Sequence, residues 1–317
     1  MEIKRAAEII RSGGVVAFPT ETVYGLGANA LEAKAVAKIF ELKERPSFDP
    51  LIVHVAEPAQ VFEYIVDSQC MLPLQRTYVQ WLTEKFWPGP LTIVLPKNTL
   101  IPDIVTAGLS TVALRMPDNP VALELIRQSS CPLAAPSANK FGRLSPTTAE
   151  HVRKQLPELE CVLDGGAAKI GIESTVISLQ EDGFTILRQG VITREDLEKI
   201  LPASGHAAVD AGLAAPGLLK AHYSPAKPLY FAGQKEIDKS RAGIISLRGA
   251  NIGGYKLAEI LSPTGDLREA AANLFGALHK MEDAEIDCIV AEPAPETGIG
   301  LAIMDRLRKA AYRWRPR

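Results

Sequence analysis

The sequence is short of cysteine and has no cysteine pair of the kind that binds metal. Its four cysteines lie far apart and form no C-x-x-C motif; they are Cys70, Cys131, Cys161 and Cys288. The five histidines likewise show no H-E-x-x-H spacing. A zinc cluster is therefore disfavoured, and we expect no metal site built from protein ligands. Sparse, unpaired cysteine is typical of the reducing cytosol, so we expect a cytoplasmic protein.

The chain also has no excess of either charge. It carries 35 lysines and arginines against 37 aspartates and glutamates, which gives a formal net charge of −2 over 317 residues. No global field attracts nucleic acid, so any contact with RNA is expected to be weak, local or indirect.

Long apolar runs are missing as well. No run approaches the ~20 residues that a membrane span needs, so we expect no membrane association. The first residues, MEIKRAAEIIR, are charged throughout and place Ile3, Ala6, Ala7 and Ile10 on one helical face. They predict a first helix and not a signal peptide.

The most informative stretch covers residues 13–30 and reads GGVVAFPTETVYGLGANA. Its apolar run, residues 15–18, predicts a buried strand that Pro19 ends. Gly25 and Gly27 predict a bend where a ligand can approach the main chain closely. Open α/β sheets build sites from such strand ends, although the same pattern occurs in proteins without a ligand. The polar residues delivered here are Thr20, Glu21, Thr22 and Tyr24.

A dinucleotide-binding loop is a weaker interpretation of the same stretch. Gly25, Gly27 and Ala30 fit G-x-G-x-x-A, but the residues TETVY separate the strand from the first glycine. The fingerprint requires the strand to lead directly into that glycine.

A second predicted strand ends in the same way. Residues 131–135, CPLAA, break at Pro136 and deliver Ser137, Asn139 and Lys140. The pattern of the first stretch therefore recurs, here with a lysine beside the small polar residues.

Two cations follow a predicted helix. Helical periodicity over residues 31–43 ends before Pro46, which disfavours helical angles at Arg45. Lys43 and Arg45 therefore stand where the helix gives way to extended chain. They either complement the helix C-terminus, which is common, or bind an anion.

Two further polar residues lie inside predicted strands. Arg115 interrupts the apolar strand over residues 111–116, and a buried arginine requires an anion, either an internal carboxylate or a ligand carboxylate or phosphate. His54 lies in the strand over residues 51–55, where a lone histidine is more often a core residue than a ligand.

Periodicity and turn signals divide the chain into two α/β domains joined by a linker. The predicted bounds are 1–201 for the first domain, 202–228 for the linker and 229–317 for the second domain. In the second, strands over 243–247 and 286–291 alternate with helices over 266–281 and 300–312, which predicts a small parallel sheet. Helix starts are predicted at Asn119-Pro120, at a capping box over 147–150 and at Thr193-x-x-Asp196.

Several segments together resemble one family, the threonylcarbamoyl-AMP synthases, whose catalytic part is the YrdC-like domain. They are KERPSFDPLIVHV, VALRMPDNP, APSANKFGRLSP, ESTVISL and ILRQG, with HYSP at residues 222–225. The resemblance covers residues 1 to about 201, and HYSP with the trailing domain resembles the longer, two-domain form. It implies a YrdC-like twisted mixed sheet with helices, followed by a small Rossmann-like α/β domain.

The resemblance implies that L-threonine, bicarbonate and ATP, with Mg²⁺ carried by the ATP, give threonylcarbamoyl-AMP and pyrophosphate. A downstream transferase then places the group on tRNA. The K-x-R and S-x-N motifs of the family fall on Lys43, Arg45, Ser137 and Asn139, of which Lys43 and Arg45 would be catalytic. Residues implied at ATP are Arg45, Thr111, Ser137, Asn139, Ser145, Arg188 and Tyr223. Residues implied at threonine are Thr22, His54, Arg115, Ala135 and Ser174.

One position departs from the family pattern. Asp49 stands where an asparagine usually precedes Pro-Leu. Because a carboxylate cannot donate a hydrogen bond to phosphate, Asp49 is expected either to hold the hydration shell of the metal or to cap the chain locally.

Two other functions fit parts of the pattern. An RNA-binding module is disfavoured by the charge balance. An O-carbamoyltransferase of the hydrogenase-maturation type would carry a zinc-finger segment, and no cysteine pair supports one.

The linker carries a hypothesis of its own. Leu213, Leu218, Leu219 and Tyr223 lie in a glycine-punctuated run that loses entropy unless it docks. We expect it to be a lid that the second domain anchors over the nucleotide, although a passive tether is the simpler alternative.

Overall fold

The computed structural model describes residues 2–66, 73–205, 222–312 and 314 of the chain. The α-helices in this part are α1 Glu2–Arg11, α2 Ala33–Lys43, α3 Pro73–Phe86, α4 Asp103–Thr106, α5 Pro120–Ser129, α6 Ala149–Gln155, α7 Arg194–Glu198, α8 Leu267–Asp283 and α9 Ile299–Tyr312. The strands are β1 Val16–Phe18, β2 Gly25–Asn29, β3 Ile52–His54, β4 Leu91–Pro96, β5 Thr111–Arg115, β6 Leu133–Ala134, β7 Thr175–Leu179, β8 Phe184–Arg188, β9 Leu229–Phe231, β10 Ala242–Ser246, β11 Leu257–Ile260 and β12 Cys288–Ala291. None of the described helices is long and apolar enough to cross a bilayer.

The first domain is built on an eight-stranded mixed sheet in the order β1-β2-β6-β3-β5-β4-β7-β8. The pairs β3–β5 and β4–β7 are parallel, and the other neighbours are antiparallel. The mixed sheet confirms the predicted class. The register pairs His54 with Arg115, so two residues predicted to bind threonine are neighbours on adjacent strands.

Helices cover both faces of this sheet. Val16 and Phe18 pack in a cluster with α1 and α5, whereas Ala17 between them packs in the larger cluster with α2 and α3. This alternation follows from the strand period of two residues. The buried face of α1 consists of Ala6, Ala7 and Ile10, as its periodicity predicts.

The predicted glycine bend is wrong. Gly25 and Gly27 lie in β2, which pairs with β1 in an antiparallel hairpin, and neither has a positive φ. A Cβ at Gly27 would lie 2.6 Å from Cε1 of Phe18. This glycine is therefore required by the close packing of Phe18 against the strand and not by a special backbone angle.

One predicted cap is also wrong, by one residue. The N-cap of α6 is Thr148, whose Oγ1 accepts a hydrogen bond of 3.2 Å from the backbone N–H of His151. Thr147 contacts Nδ1 of His151 instead. The helix starts predicted at Asn119 and Thr193 are confirmed by their side-chain caps.

The second sheet has four parallel strands in the order β11-β10-β12-β9. It confirms the predicted parallel domain. The strands β9 and β11 were not expected from the sequence; both lie at edges of the sheet and are partly exposed, so their apolar pattern is weak.

The two domains share a buried interface. Ile172 of the first domain packs in one cluster with Phe275 of the second. The rings of His151 and His279 stack with centroids 3.7 Å apart, and Nε2 of His279 lies 3.1 Å from the carbonyl oxygen of Ser145. Ion pairs across the interface are Arg143–Glu282, Lys154–Asp283 and Arg306–Glu173. The second domain is thus packed against the first and not only tethered to it.

Candidate active site

A cavity lies beside the loops that follow β1 and β6. It is lined by Thr20, Thr22, Val23, Gly25, Arg45, Ile52, His54, Arg115, Ala135, Pro136, Ser137, Glu173, Arg188, His222 and Tyr223. An isolated bridge pairs Gly25 with Ser137, so the segments that follow the two proline-cut strands lie side by side in the wall. Three arginines and one carboxylate line the cavity, so cations outnumber anions on its wall.

Arg45 is buried in the wall of this cavity. Its Nη2 lies 2.9 Å from Oδ2 of Asp49, and its Nε and Nη2 donate to the carbonyl oxygens of Asp49 and Pro50. Arg45 is therefore not a solvated charge at the end of α2. Burial raises the pKa of Asp49, and the nearby cations Arg45 and Lys43 oppose this rise. Asp49 holds Arg45 in place, which neither expected role described.

Lys43 lies behind the wall and not on it. Its Nζ donates to the carbonyl oxygen of Ser137 at 2.6 Å and also to that of Asn139. Burial, and then the charge of Arg45, lower the pKa of Lys43 well below its usual value. In this structure Lys43 fixes the backbone of the S-x-N loop against the end of α2.

The anion that faces Arg115 is an internal carboxylate. Nη2 of Arg115 lies 2.6 Å from Oε1 of Glu21, and its Nε donates to the carbonyl oxygen of Gly89. Arg115 still lines the cavity. Glu21 thus compensates the buried charge and orients the guanidinium.

His54 is buried beside Arg115 and is neutral. Burial, and then the charge of Arg115, lower the pKa of His54 to about 3. Among the described residues, Nδ1 of His54 has no hydrogen-bond partner. A buried polar atom without a partner on a cavity wall is a candidate contact point for a ligand.

Arg188 and Glu173 also line the cavity. Nη2 of Arg188 donates to Oγ of Ser174 at 3.0 Å, and Ser174 also bonds Thr92. Oε1 of Glu173 accepts a 2.5 Å hydrogen bond from Oγ of Ser145. Burial acts to raise the pKa of Glu173, but Arg306, Arg188 and Ser145 outweigh it and hold this pKa below its usual value.

The segment after the linker closes one end of the cavity. Tyr223 is 1% exposed, and its ring packs against His222 with centroids 4.0 Å apart. The backbone N–H of Ser224 donates to the carbonyl oxygen of Gly142. Tyr223 has a φ of 57°, a left-handed conformation that is costly for a bulky residue and that the surrounding contacts must hold.

The structure brings most of the predicted site residues together. Those on the cavity wall are Thr22, Arg45, His54, Arg115, Ala135, Ser137, Arg188 and Tyr223. Four others are buried but do not line it: Lys43, Asn139, Ser145 and Ser174. Lys43 bonds Asn139, Glu173 bonds Ser145, and Arg188 bonds Ser174. Thr111 does not line the cavity; it begins β5, four residues before Arg115, and pairs with Pro96.

Two polar residues of the wall, Glu173 and His222, were not singled out from the sequence. Glu173 immediately precedes Ser174 in the segment ESTVISL, and His222 precedes Tyr223 in HYSP. Both belong to motifs that pointed to the site. Within the described part of the chain, no three His, Cys, Asp or Glu residues converge as metal ligands.

Comparisons with known proteins agree with this geometry. A family model described as "Telomere recombination" matches residues 8–190, and one described as "Threonylcarbamoyl-AMP synthase, C-terminal domain" matches residues 192–312. Proteins named threonylcarbamoyl-AMP synthase from Pyrococcus abyssi and Bacillus subtilis are 44% and 43% identical to this chain, over 98% of it and over 94% and 93% of their own lengths. A crystal structure of Pyrococcus abyssi Sua5 complexed with L-threonine is 40% identical over 98% of this chain and 94% of that one, with a TM-score of 0.83.

Proposed function

Because the chain belongs to the threonylcarbamoyl-AMP synthase family, it is an enzyme that transfers an adenylyl group, and we propose that its substrates are L-threonine, bicarbonate and ATP. The observation that carries the proposal is the buried cavity, where Arg45, Arg115 and Arg188 meet beside the S-x-N loop. Threonine and ATP both carry anionic groups, and such fixed cations bind them in a site from which water is excluded.

The proposed reaction has two steps. The amine of threonine attacks the carbon of bicarbonate, with loss of water, and gives a carbamate. A carbamate oxygen then attacks the α-phosphorus of ATP, the bond to the β-phosphate oxygen breaks, and pyrophosphate leaves with its negative charge. Charge grows on phosphate oxygens during the second step, so preorganised cations lower its barrier.

We place threonine at the Arg115 side of the cavity. The part of the Arg115 guanidinium not engaged by Glu21 and Gly89 is available for the threonine carboxylate, while His54, neutral and without a partner at Nδ1 among the described residues, offers a hydrogen bond. Thr22 and Ala135 line the same wall, and Ser174 lies behind it.

We place ATP at the side of Arg45, Arg188 and Tyr223. Arg45 and Arg188 stabilise the phosphate charge, and Ser137, Asn139 and Ser145 supply hydrogen bonds. Lys43 acts by holding the S-x-N loop, since its Nζ already donates to two loop carbonyls. Thr111, at the far end of β5, would contact ATP only after a movement of the chain.

Mg²⁺ enters with the nucleotide as part of the MgATP substrate. The buried carboxylates near the cavity are engaged by arginines, in the pairs Glu21–Arg115, Asp49–Arg45 and Glu173–Arg306. The ion is therefore expected to be held by phosphate oxygens and water, as is usual for Mg²⁺ at nucleotides.

The linker is proposed to be a lid. His222 and Tyr223 line the cavity, which supports closure by the end of the predicted linker, residues 202–228. Leu213, Leu218 and Leu219 lie outside the described residues. Closure would protect the product, a mixed anhydride that water hydrolyses, until a transferase in the cytoplasm moves its group to tRNA. Direct contact of this chain with tRNA is proposed to be weak or indirect.

The test is a set of omission experiments with MgATP. Pyrophosphate release should require threonine and bicarbonate together, because the nucleophile is formed from both. Serine should support a lower kcat/KM, since loss of the packed methyl group costs about 1–3 kcal/mol. Release that does not depend on bicarbonate, or tRNA binding without any release, would contradict the assignment.

A further inference from the structure

We propose that Arg306, from the second domain, is a positioning residue for the nucleotide side of the active site. The inference rests on the proposed function and extends it, because it makes the second domain part of the catalytic machinery and not only an anchor for the linker. Arg306 lies on α9, which follows the second sheet, and reaches across the domain interface.

The first observation is how completely Arg306 is buried and oriented. Its side chain is 0% exposed. Nε donates to Oε2 of Glu173 at 2.9 Å, and Nη1 donates to the carbonyl oxygen of Gln189 at 2.8 Å and to Asp305. The contacts to Glu173 and Gln189 are made to the first domain, and Gln189 directly follows the cavity residue Arg188.

The second observation is the hydrogen bond made by the other carboxylate oxygen of Glu173. Oε1 accepts the hydrogen bond from Ser145 Oγ, so one carboxylate links Arg306 to a residue proposed at ATP. Glu173 also lines the cavity. Without Arg306 this carboxylate would lose its main buried counter-charge and would be free to turn toward Arg188 or the phosphates.

The third observation concerns Tyr223. The guanidinium carbon of Arg306 lies 5.5 Å from the centroid of the Tyr223 ring, within the range of a cation–π contact. Tyr223 is held with a positive φ, which a bulky residue adopts only where neighbouring contacts fix it. Arg306 therefore supports two separate parts of the nucleotide side, Ser145 through Glu173 and Tyr223 directly.

A purely structural role for Arg306 would give a different experimental result. If Arg306 only joined the domains, its loss would lower stability, as for other buried ion pairs, but ATP binding would match that of a variant lacking another ion pair across the same interface. The chain offers that control in Lys154, which pairs with Asp283 across the interface with both side chains about half exposed and is absent from the cavity wall. Lys154→Met removes one cation from the interface without touching the Glu173 network.

The experiment measures ATP binding by calorimetry in the absence of threonine, together with steady-state KM and kcat, for the wild type and for Arg306→Met, Arg306→Lys and Lys154→Met. Arg306→Met should weaken ATP binding and raise the KM for ATP by roughly 10- to 100-fold, the effect of one hydrogen bond to a charged group. The KM for threonine should change less than the KM for ATP, because His54 and Arg115 lie outside this network and only Ser174, which follows Glu173, adjoins it. Lys154→Met should match the wild type.

Arg306→Lys keeps the charge but cannot bond Glu173 and Gln189 together, because lysine lacks the planar fork. It should restore part of the ATP affinity, and it replaces Arg306→Met in the comparison if the methionine variant does not fold at 25 °C. ATP dissociation constants for both Arg306 variants within twofold of Lys154→Met would overturn the inference.

A failure of the proposed function gives a different result. In that case the wild type would show no threonine-dependent pyrophosphate release, while ATP binding would still be weakened in the Arg306 variants and not in Lys154→Met. The binding measurement therefore decides the inference on its own.

Discussion

Oδ2 of Asp49 lies 2.9 Å from Nη2 of Arg45, and both side chains are 3% exposed. This pair shows that the K-x-R arginine is fixed by its own loop before any substrate arrives. Preorganisation of this kind lets a cation stabilise a transition state without the cost of moving into place.

The first prediction concerns stability at this pair. Arg45→Ala leaves Asp49 buried without its counter-charge, so the free energy of unfolding should fall by about 3–5 kcal/mol, along with a large loss of turnover. Arg5→Ala is the matched control, because Arg5 pairs with Glu160 where both side chains are 67% exposed, and it should change stability by less than ~1 kcal/mol. Urea unfolding measures both variants. If both variants lose the same small amount of unfolding free energy, the buried pair does not stabilise the fold.

The second prediction concerns the threonine carboxylate. Arg115→Lys keeps a positive charge opposite Glu21 but loses the fork that can serve Glu21 and a ligand together. The KM for threonine should rise roughly 10- to 100-fold while the KM for ATP stays within about twofold. Arg127→Met is the control, since its pair with Glu57 is about half exposed and neither residue lines the cavity. A change in the KM for ATP alone would mean that Arg115 binds the nucleotide and not threonine.

The third prediction is the pH dependence of stability. Burial, and then neighbouring His151, lower the pKa of His279 to about 3, with Lys154 and Arg143 acting in the same direction and the bond to Ser145 opposing them. Below pH ~6.5 the unfolded chain therefore binds a proton that the folded chain does not. Stability is complete above pH ~6.5 and falls as the pH falls toward 3, by about 1.4 kcal/mol per pH unit for this group.

His279→Gln tests this slope because glutamine can still donate to the carbonyl oxygen of Ser145. Urea midpoints of the wild type and the variant, taken at several values between pH 4.5 and 8, should differ in slope by about one proton. Parallel plots of urea midpoint against pH for the two proteins would mean that His279 has the same pKa in the folded and the unfolded chain. The pKa of His54 is also lowered to about 3, and this residue contributes the same dependence of stability on pH in both proteins.

The fourth prediction concerns the lid. A truncation after Leu201, and separately Tyr223→Ala, should release more AMP per pyrophosphate than the intact chain, because water reaches the mixed anhydride when the cavity is open. The ratio of AMP to threonylcarbamoyl-AMP is the quantity to follow. If the truncated chain forms and retains threonylcarbamoyl-AMP as well as the intact chain does, the linker is a passive tether and not a lid.

The sequence predicts this fold and site well where local signals and packing agree. Proline-cut strands, helix caps and the K-x-R and S-x-N motifs identified Arg45 and Ser137, and the structure brings both to the cavity. Local pattern did not reveal Arg306, which in sequence is one basic residue on an amphipathic helix; its burial arises only from contact between domains. Gly27 was misjudged for a similar reason, because its constraint comes from Phe18 on the neighbouring strand.

The exposure of the two cations was misjudged in the same way. A lysine and an arginine at the end of α2 have the pattern of solvated helix-end charges. Lys43 is buried because the S-x-N loop, far away in the chain, encloses it. Arg45 is buried within its own loop, where Asp49 lies four residues further on.

The most direct test of the central claim follows the carbon of bicarbonate. The intact protein, MgATP, L-threonine and ¹³C-bicarbonate are incubated, and the products are separated and identified by mass spectrometry. The account predicts threonylcarbamoyl-AMP one mass unit heavier than the unlabelled compound, with one pyrophosphate for each molecule formed. Formation of AMP or ADP without a labelled adenylate would contradict it.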